Sequence, residues 1–130
     1  MTIGWGTIGI LWSKPVVTVF IHKTRYSKHL FDKESKFSVC FLSNKYNEQI
    51  ALFGSKSGRD MDKIKESNLD LTIENDYAYF NDSELVIKAK KIGQTDFDKN
   101  HIDVERIKKW YDQDGVHTIY IGEIEEVLKK

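Results

Sequence analysis

Apolar residues recur along most of this chain every second position, and the stretches with a period near 3.6 are short, a pattern that predicts a β-rich fold with small helices at its edges. Gly4 to Trp12 and Val16 to His22 are rich in β-branched and aromatic residues and read as two strands joined tightly through Ser13-Lys14-Pro15. Ser27 is placed to cap a helix running to about Lys33, and Phe37 to Leu42 follows as a strand with Phe37, Val39 and Phe41 on one face. Tyr46, Ile50 and Phe53 recur at helical spacing behind the candidate caps Ser43 and Asn44, which predicts a helix over 46–53 ended by Gly54.

Beyond that glycine, Met61 and Ile64 mark one face of a short helix ending near Asn68. Leu69 to Glu74 and Tyr77 to Phe80 read as short strands around Asn75-Asp76, and Glu84 to Ile92 as a longer one with Leu85, Ile87 and Ala89 facing one way. Gly93 to Asp103 is polar and loop-like. Val104, Ile107, Trp110 and Tyr111 mark a helix, and Val116 to Leu128 a last strand after Gln113-Asp114-Gly115. Many strands at short spacing with a single proline predict a small antiparallel barrel, closed or half-closed, and no repeat or second domain interrupts residues 1–130.

Charge narrows the partners more than it shapes the fold. Twenty basic residues balance twenty acidic ones over 130 positions, so no overall field recruits nucleic acid or an anionic membrane. No apolar run approaches the roughly 20 residues of a membrane span. The lone Cys40 lies in an apolar strand and cannot form an internal disulfide, which suits a reducing cytoplasm. The four histidines share no metal-ligand spacing. The Lys88-Ala89-Lys90-Lys91 run reads as a solvated strand edge that discourages aggregation.

One segment carries chemistry of its own. Gly54-Ser55-Lys56-Ser57-Gly58-Arg59-Asp60-Met61-Asp62-Lys63 gathers glycines, hydroxyls and cations in a turn that opens a helix. Backbone N–H groups freed by glycine, with Lys56 and Arg59 beside them, suit an anion such as phosphate. Spacing alone serves equally an ordinary polar loop whose Asp60 caps the following helix. Arg25 and Ser27 sit where a strand hands over to a helix, a second place where guanidinium, hydroxyl and amides converge on an anion.

Taken in order, the opening Met1-Thr2-Ile3-Gly4-Trp5-Gly6, the strand Lys14 to Phe20, Arg25-Tyr26-Ser27, the Ser57-Gly58-Arg59-Asp60 turn, and the tail from Trp110-Tyr111-Asp112 through His117 to Ile124 resemble the flavin reductase-like branch of the FMN-binding split-barrel proteins. The resemblance implies a split β-barrel that binds FMN, with Arg25, Tyr26, Ser27, Lys56 and Ser57 toward the phosphate and Thr2, Ile3, Gly4, Trp5 and Gly6 along the isoalloxazine ring. It further implies a homodimer with the flavin at its two-fold interface, and electron transfer from NADH or NADPH to free flavin, oxygen or a protein. A non-enzymatic FMN carrier serving a redox partner is the alternative, and a cofactor-free form of the fold is a third. No Gly-x-Gly-x-x-Gly dinucleotide fingerprint is present.

Other residues keep two readings. Trp5 lies against the flavin ring or in the core, and Trp12 reads as core. His117 occupies a position that family members use near the active site, and reads equally as a strand surface residue. Asp60 and Asp62 read as a helix cap and a solvated first-turn charge rather than an acid–base pair. Family members carry a strand ending in Asn ahead of the Met-Thr segment. The expectation that follows is an unpaired barrel edge, with Met1 an internal methionine of a longer reading frame.

Overall fold

Trp12 and Ser13 turn the chain alone: both have positive φ, 53° and 61°, the mirror-image two-residue turn whose twist matches that of the flanking strands. In this computed structural model, which describes residues 1–130, the turn joins β1 (Gly6–Leu11) to β2 (Lys14–His22). The strands therefore start and stop about two residues from where composition put them. Pro15 lies inside β2, opposite Ile10 and just outside the β2–β7 ladder that begins at Val16, where a missing N–H costs little. Trp12 is a solvent-exposed turn residue, not a core one.

Helix α1 (Ser27–Lys33) follows β2, then β3 (Lys36–Phe41), a 3₁₀ turn at Asn44–Tyr46, α2 (Asn47–Ser55) and α3 (Lys63–Ser67). Ser27 is the first helical residue of α1 rather than its cap; Tyr26 holds that place and offers no side-chain cap. Gly54 sits within α2 instead of ending it. The carboxylate over α3 belongs to Asp62, which accepts from the Lys65 N–H at 3.2 Å, and Asn68 closes the helix in the left-handed region. This corrects the sequence reading, which gives the cap to Asp60 and leaves Asp62 a solvated first-turn charge: the helix starts two residues later, at Lys63, so the second aspartate stands in the cap position.

A hairpin, β4 (Leu71–Glu74) and β5 (Tyr77–Phe80), turns at Asn75 and Asp76, again both with positive φ. The long β6 (Leu85–Asp96) runs four residues further than its apolar pattern, into the stretch read as loop. Helix α4 (Val104–Trp110) leads to β7 (His117–Lys129). The main sheet is antiparallel throughout in the order β1-β2-β7-β6-β3, so β1 and β3 are its edges and the barrel is half-closed.

Val17, Val19, Ile21, Phe37, Ile87, Ala89 and Tyr120 form the core on one face of this sheet, with Phe31 of α1 laid across Phe37 and Tyr120 at 4.9 and 4.6 Å between ring centres. Gly122 makes that approach possible, since a Cβ there would lie 2.5 Å from the Phe37 ring and 2.8 Å from Ala89. Tyr120 is fully buried and its hydroxyl donates to Asp32, which also pairs with Lys28 at 2.8 Å.

The lysine run is not a solvated edge. β6 lies inside the sheet, and the Lys88 side chain is 4% exposed, its Nζ 2.7 Å from Glu126 and 3.5 Å from Glu74, over the Tyr79 ring at 4.8 Å. It pins the β4–β5 hairpin to the sheet, and Glu126 holds its charge by raising its pKa. Lys91 donates to the Phe31 carbonyl at 2.6 Å; Lys90 alone is open to water.

Candidate functional site

The β2–α1 connection is drawn tight by the Arg25 N–H donating to the His22 carbonyl at 3.0 Å. This leaves Arg25 exposed at the corner and swings Tyr26 toward the turn after α2. A Cβ on Gly58 would lie 2.9 Å from the Tyr26 ring, and the Arg59 guanidinium stands 5.4 Å from that ring's centre. The two cationic turns found in sequence thus meet at Tyr26. Ser57 Oγ accepts from the Arg59 N–H at 3.1 Å, which leaves its own hydroxyl proton free to donate.

Lys63, unassigned from sequence, completes the patch. Its Nζ donates to the carbonyls of Phe53 and Lys56 at 3.1 and 3.0 Å, so it ties α3 to the end of α2. Its pKa is held below the ordinary lysine value by burial and then by the Arg25 charge. Neither Arg25, Lys56, Arg59 nor Lys63 forms an ion pair with a carboxylate. Cations that repel one another beside free hydroxyl donors are the donor set an acceptor-only dianion would satisfy, and a phosphate fits them.

Residues 2–6 run past this patch. Thr2 touches α2, where a Cβ on Gly54 would lie 2.8 Å from Thr2 Oγ1. The backbone of residues 2–5 belongs to no strand or helix and makes no hydrogen bond to other backbone, so its N–H and C=O groups are open to a ligand. The pleated strand expected from Gly4 starts only at Gly6. Beside Gly4 a Cβ would meet nothing within 4 Å, which leaves room for a flat group to approach. Gly6 is fixed differently, its absent Cβ facing the Thr18 carbonyl at 2.9 Å across the β1–β2 ladder. Ile3 is partly exposed.

Trp5 ends the segment in an aromatic cluster of its own chain. It meets Trp110 edge-on at 4.8 Å and His117 at 4.9 Å, while His22 stands 5.1 Å from His117. His117 Nδ1 bonds the buried Tyr111 hydroxyl at 2.8 Å. Burial, then the nearby charges of His22 and Arg25, hold the His117 pKa below the usual histidine value, so the ring is neutral at pH 7. His117 is therefore no plain surface residue: it links the cationic corner to the aromatic cluster. Trp110 shows in the sequence as a helical apolar position and as part of the resembling tail, but neither signals its contact with Trp5.

No group of His, Cys, Asp and Glu side chains is placed to hold a metal ion, Cys40 is a free thiol, and no helix is long and apolar enough to cross a membrane. Comparison with known proteins adds a family. The model of the flavin reductase-like domain matches residues 1–130. Among solved structures the chain is similar to a flavoredoxin of Desulfovibrio vulgaris, at 23% identity and a TM-score of 0.76 over 100% of this chain and 61% of that one. An FMN-binding protein from Thermus thermophilus gives 17% identity and a TM-score of 0.72, over 97% of this chain and 61% of that one. An NADH:FAD oxidoreductase of Streptomyces globisporus gives 15% and 0.73, over 100% and 66%. No curated protein matches. These likenesses show the fold, an FMN-binding split barrel of the flavin reductase-like kind, and the chain spans about three fifths of the length of the first solved proteins it matches.

Proposed function

The chain belongs to the flavin reductase-like domain family, and on that premise we propose that it is an FMN-binding flavoprotein acting as an NAD(P)H-dependent oxidoreductase, a cytoplasmic homodimer of a single 1–130 domain. The observation that carries this reading is the meeting of two cationic turns at Tyr26, whose Arg25, Lys56, Arg59 and Lys63 pair with no carboxylate, with burial and then the Arg25 charge depressing the pKa of Lys63. Arg25, Ser27, Lys56 and Ser57 hold the phosphate, with Lys63 added to them. Residues 2–6 lie along the ring, the unpaired backbone groups of residues 2–5 meeting its polar edge. Bound FMN would supply the redox chemistry, taking electrons from a nicotinamide donor. The protein binds and orients it, and the neutral His117 offers Nε2 beside Trp5 as a hydrogen-bonding group.

A second copy has a surface to cover. Ile8 and Ile10 project from the edge strand at 63% and 76% exposure, a short apolar row on an unpaired ladder edge. An isologous pairing through it would bury that row and bring two flavin sites into one assembly.

The test is a titration of the purified chain with FMN, followed by flavin fluorescence, and then NADH or NADPH oxidation with free flavin as acceptor. Stoichiometric FMN binding with turnover supports the reading. Binding without turnover, with reduction only by a partner protein, makes the chain an electron carrier; no FMN binding refutes it.

A further inference from the structure

Beside Trp5, on the side of α4, lies a cavity of about 360 Å³ lined by Trp5, Phe97, Ile102, Arg106, Trp110 and Tyr111. Its size is that of a small-molecule site, for which about 300–1,000 Å³ is usual, and benzene needs only about 150 Å³. The walls are rings at mixed angles: Trp5 edge-on to Trp110 at 4.8 Å, and Phe97, stacked on Phe20 at 5.9 Å, tilted 43° to Tyr111. Trp5 and Trp110 remain 43% and 48% exposed, so two indoles are left wet at the mouth. Such an arrangement matches a flat aromatic guest, which meets both faces and edges of the wall.

The polar lining decides the guest's charge. Arg106 is the one ionised group, and its Nη1 lies 3.4 Å from Asp103 and 3.8 Å from Glu105. Two carboxylates beside one guanidinium disfavour a net anion, yet these exposed pairs are weak enough to leave N–H donors for a neutral acceptor. The Tyr111 hydroxyl is already committed to His117.

We propose that this cavity binds a neutral, planar aromatic molecule bearing a carbonyl or nitro group, its ring packed against the wall that the touching Trp5 and Trp110 form together and its acceptor oxygen at Arg106. That the site adjoins a flavin rests on the function proposed above; the binding itself does not.

Calorimetric titration with para-nitrobenzamide tests it. The wild-type chain should bind this probe, bind cyclohexanecarboxamide at least about tenfold more weakly because it lacks a π face, and bind para-nitrobenzoate more weakly than the amide. Trp110→Ala should lose at least about tenfold, Ile102→Trp should abolish binding by filling the space, and Ile73→Ala, an exposed position on the β4–β5 hairpin outside the cavity lining, should bind as wild type. Circular-dichroism melts establish that each variant is folded. The proposal is overturned if folded wild type ignores the amide, if the saturated ring binds as well, if para-nitrobenzoate binds more tightly, or if Ile102→Trp binds unchanged. FMN titrated in parallel separates the two readings: FMN binding without the amide removes the cavity alone, and amide binding without FMN removes the flavin site alone.

Discussion

Replacing Arg25 with alanine should weaken FMN and spare riboflavin. A charge-assisted hydrogen bond contributes about 1.5–3 kcal/mol. Arg25 is exposed at the β2–α1 corner, so water and salt screen it and the lower end applies, about 1.5 kcal/mol or roughly tenfold in Kd. Lys56, Arg59 and Lys63 stay in place, so binding should survive the loss. Riboflavin has the same ring and ribityl chain without the phosphate, and it should be nearly blind to the change. Fluorescence titrations of both ligands measure the difference directly. The gap between wild type and Arg25→Ala should shrink as salt is raised from about 0.05 to 0.5 M, because the Debye length falls several-fold. Arg25→Lys should recover part of the affinity, keeping the charge but not the two-pronged donor geometry. Equal losses for FMN and riboflavin would refute the assignment, and so would a loss indifferent to salt.

The same variant should raise the His117 pKa, read from its imidazole NMR shift, because Arg25 is one of the charges holding it down; an unchanged midpoint would separate the two sites. Since that pKa is lower folded than unfolded, the unfolded chain binds the proton first and stability should fall as pH drops below about 6.5, a slope that His117→Gln should reduce in pH-dependent melts. Gly122→Ala forces a methyl group against Phe37 and Ala89, and should destabilise by about 1–3 kcal/mol in urea unfolding; a neutral result would mean that Phe37 has room to move. Lys88→Met should be near neutral because the methionine keeps the packing and its former partners, Glu74 and Glu126, are about half exposed and rehydrate; a loss above about 3 kcal/mol would show that the ion pairs themselves hold the hairpin. Ile10→Lys on the edge strand should shift light scattering from about twice 15.2 kDa to the monomer value, and an unchanged mass would place the dimer contact elsewhere.

What could be read in the sequence, and what could not, divides by the range of the interaction. Asn75-Asp76 announced its turn because those residues tolerate positive φ, and the structure puts both there. Trp12-Ser13 adopts the same geometry without that composition, held by the β1–β2 ladder, so composition alone points to Ser13-Lys14-Pro15 for the turn and to the core for Trp12. The apolar stripes on β2, β6 and β7 were legible because sheet burial repeats every second residue. Lys88 was not, because its burial is compensated by Glu126 on β7 and by Glu74 and Tyr79 on the hairpin, all distant in sequence and brought in by the sheet order. The site divides in the same way. Each cationic turn shows its local chemistry in glycines, hydroxyls and charges, but their contact through Tyr26 and the Arg25–Lys63 repulsion arise only when β2 and α2 are packed. The aromatic cavity is the extreme case: Trp5 and Trp110 sit near opposite ends of the chain, each with an ordinary local explanation, and only their meeting creates a wall. A binding surface made of pairs like this one leaves no motif, so its chemistry has to be argued from the folded chain.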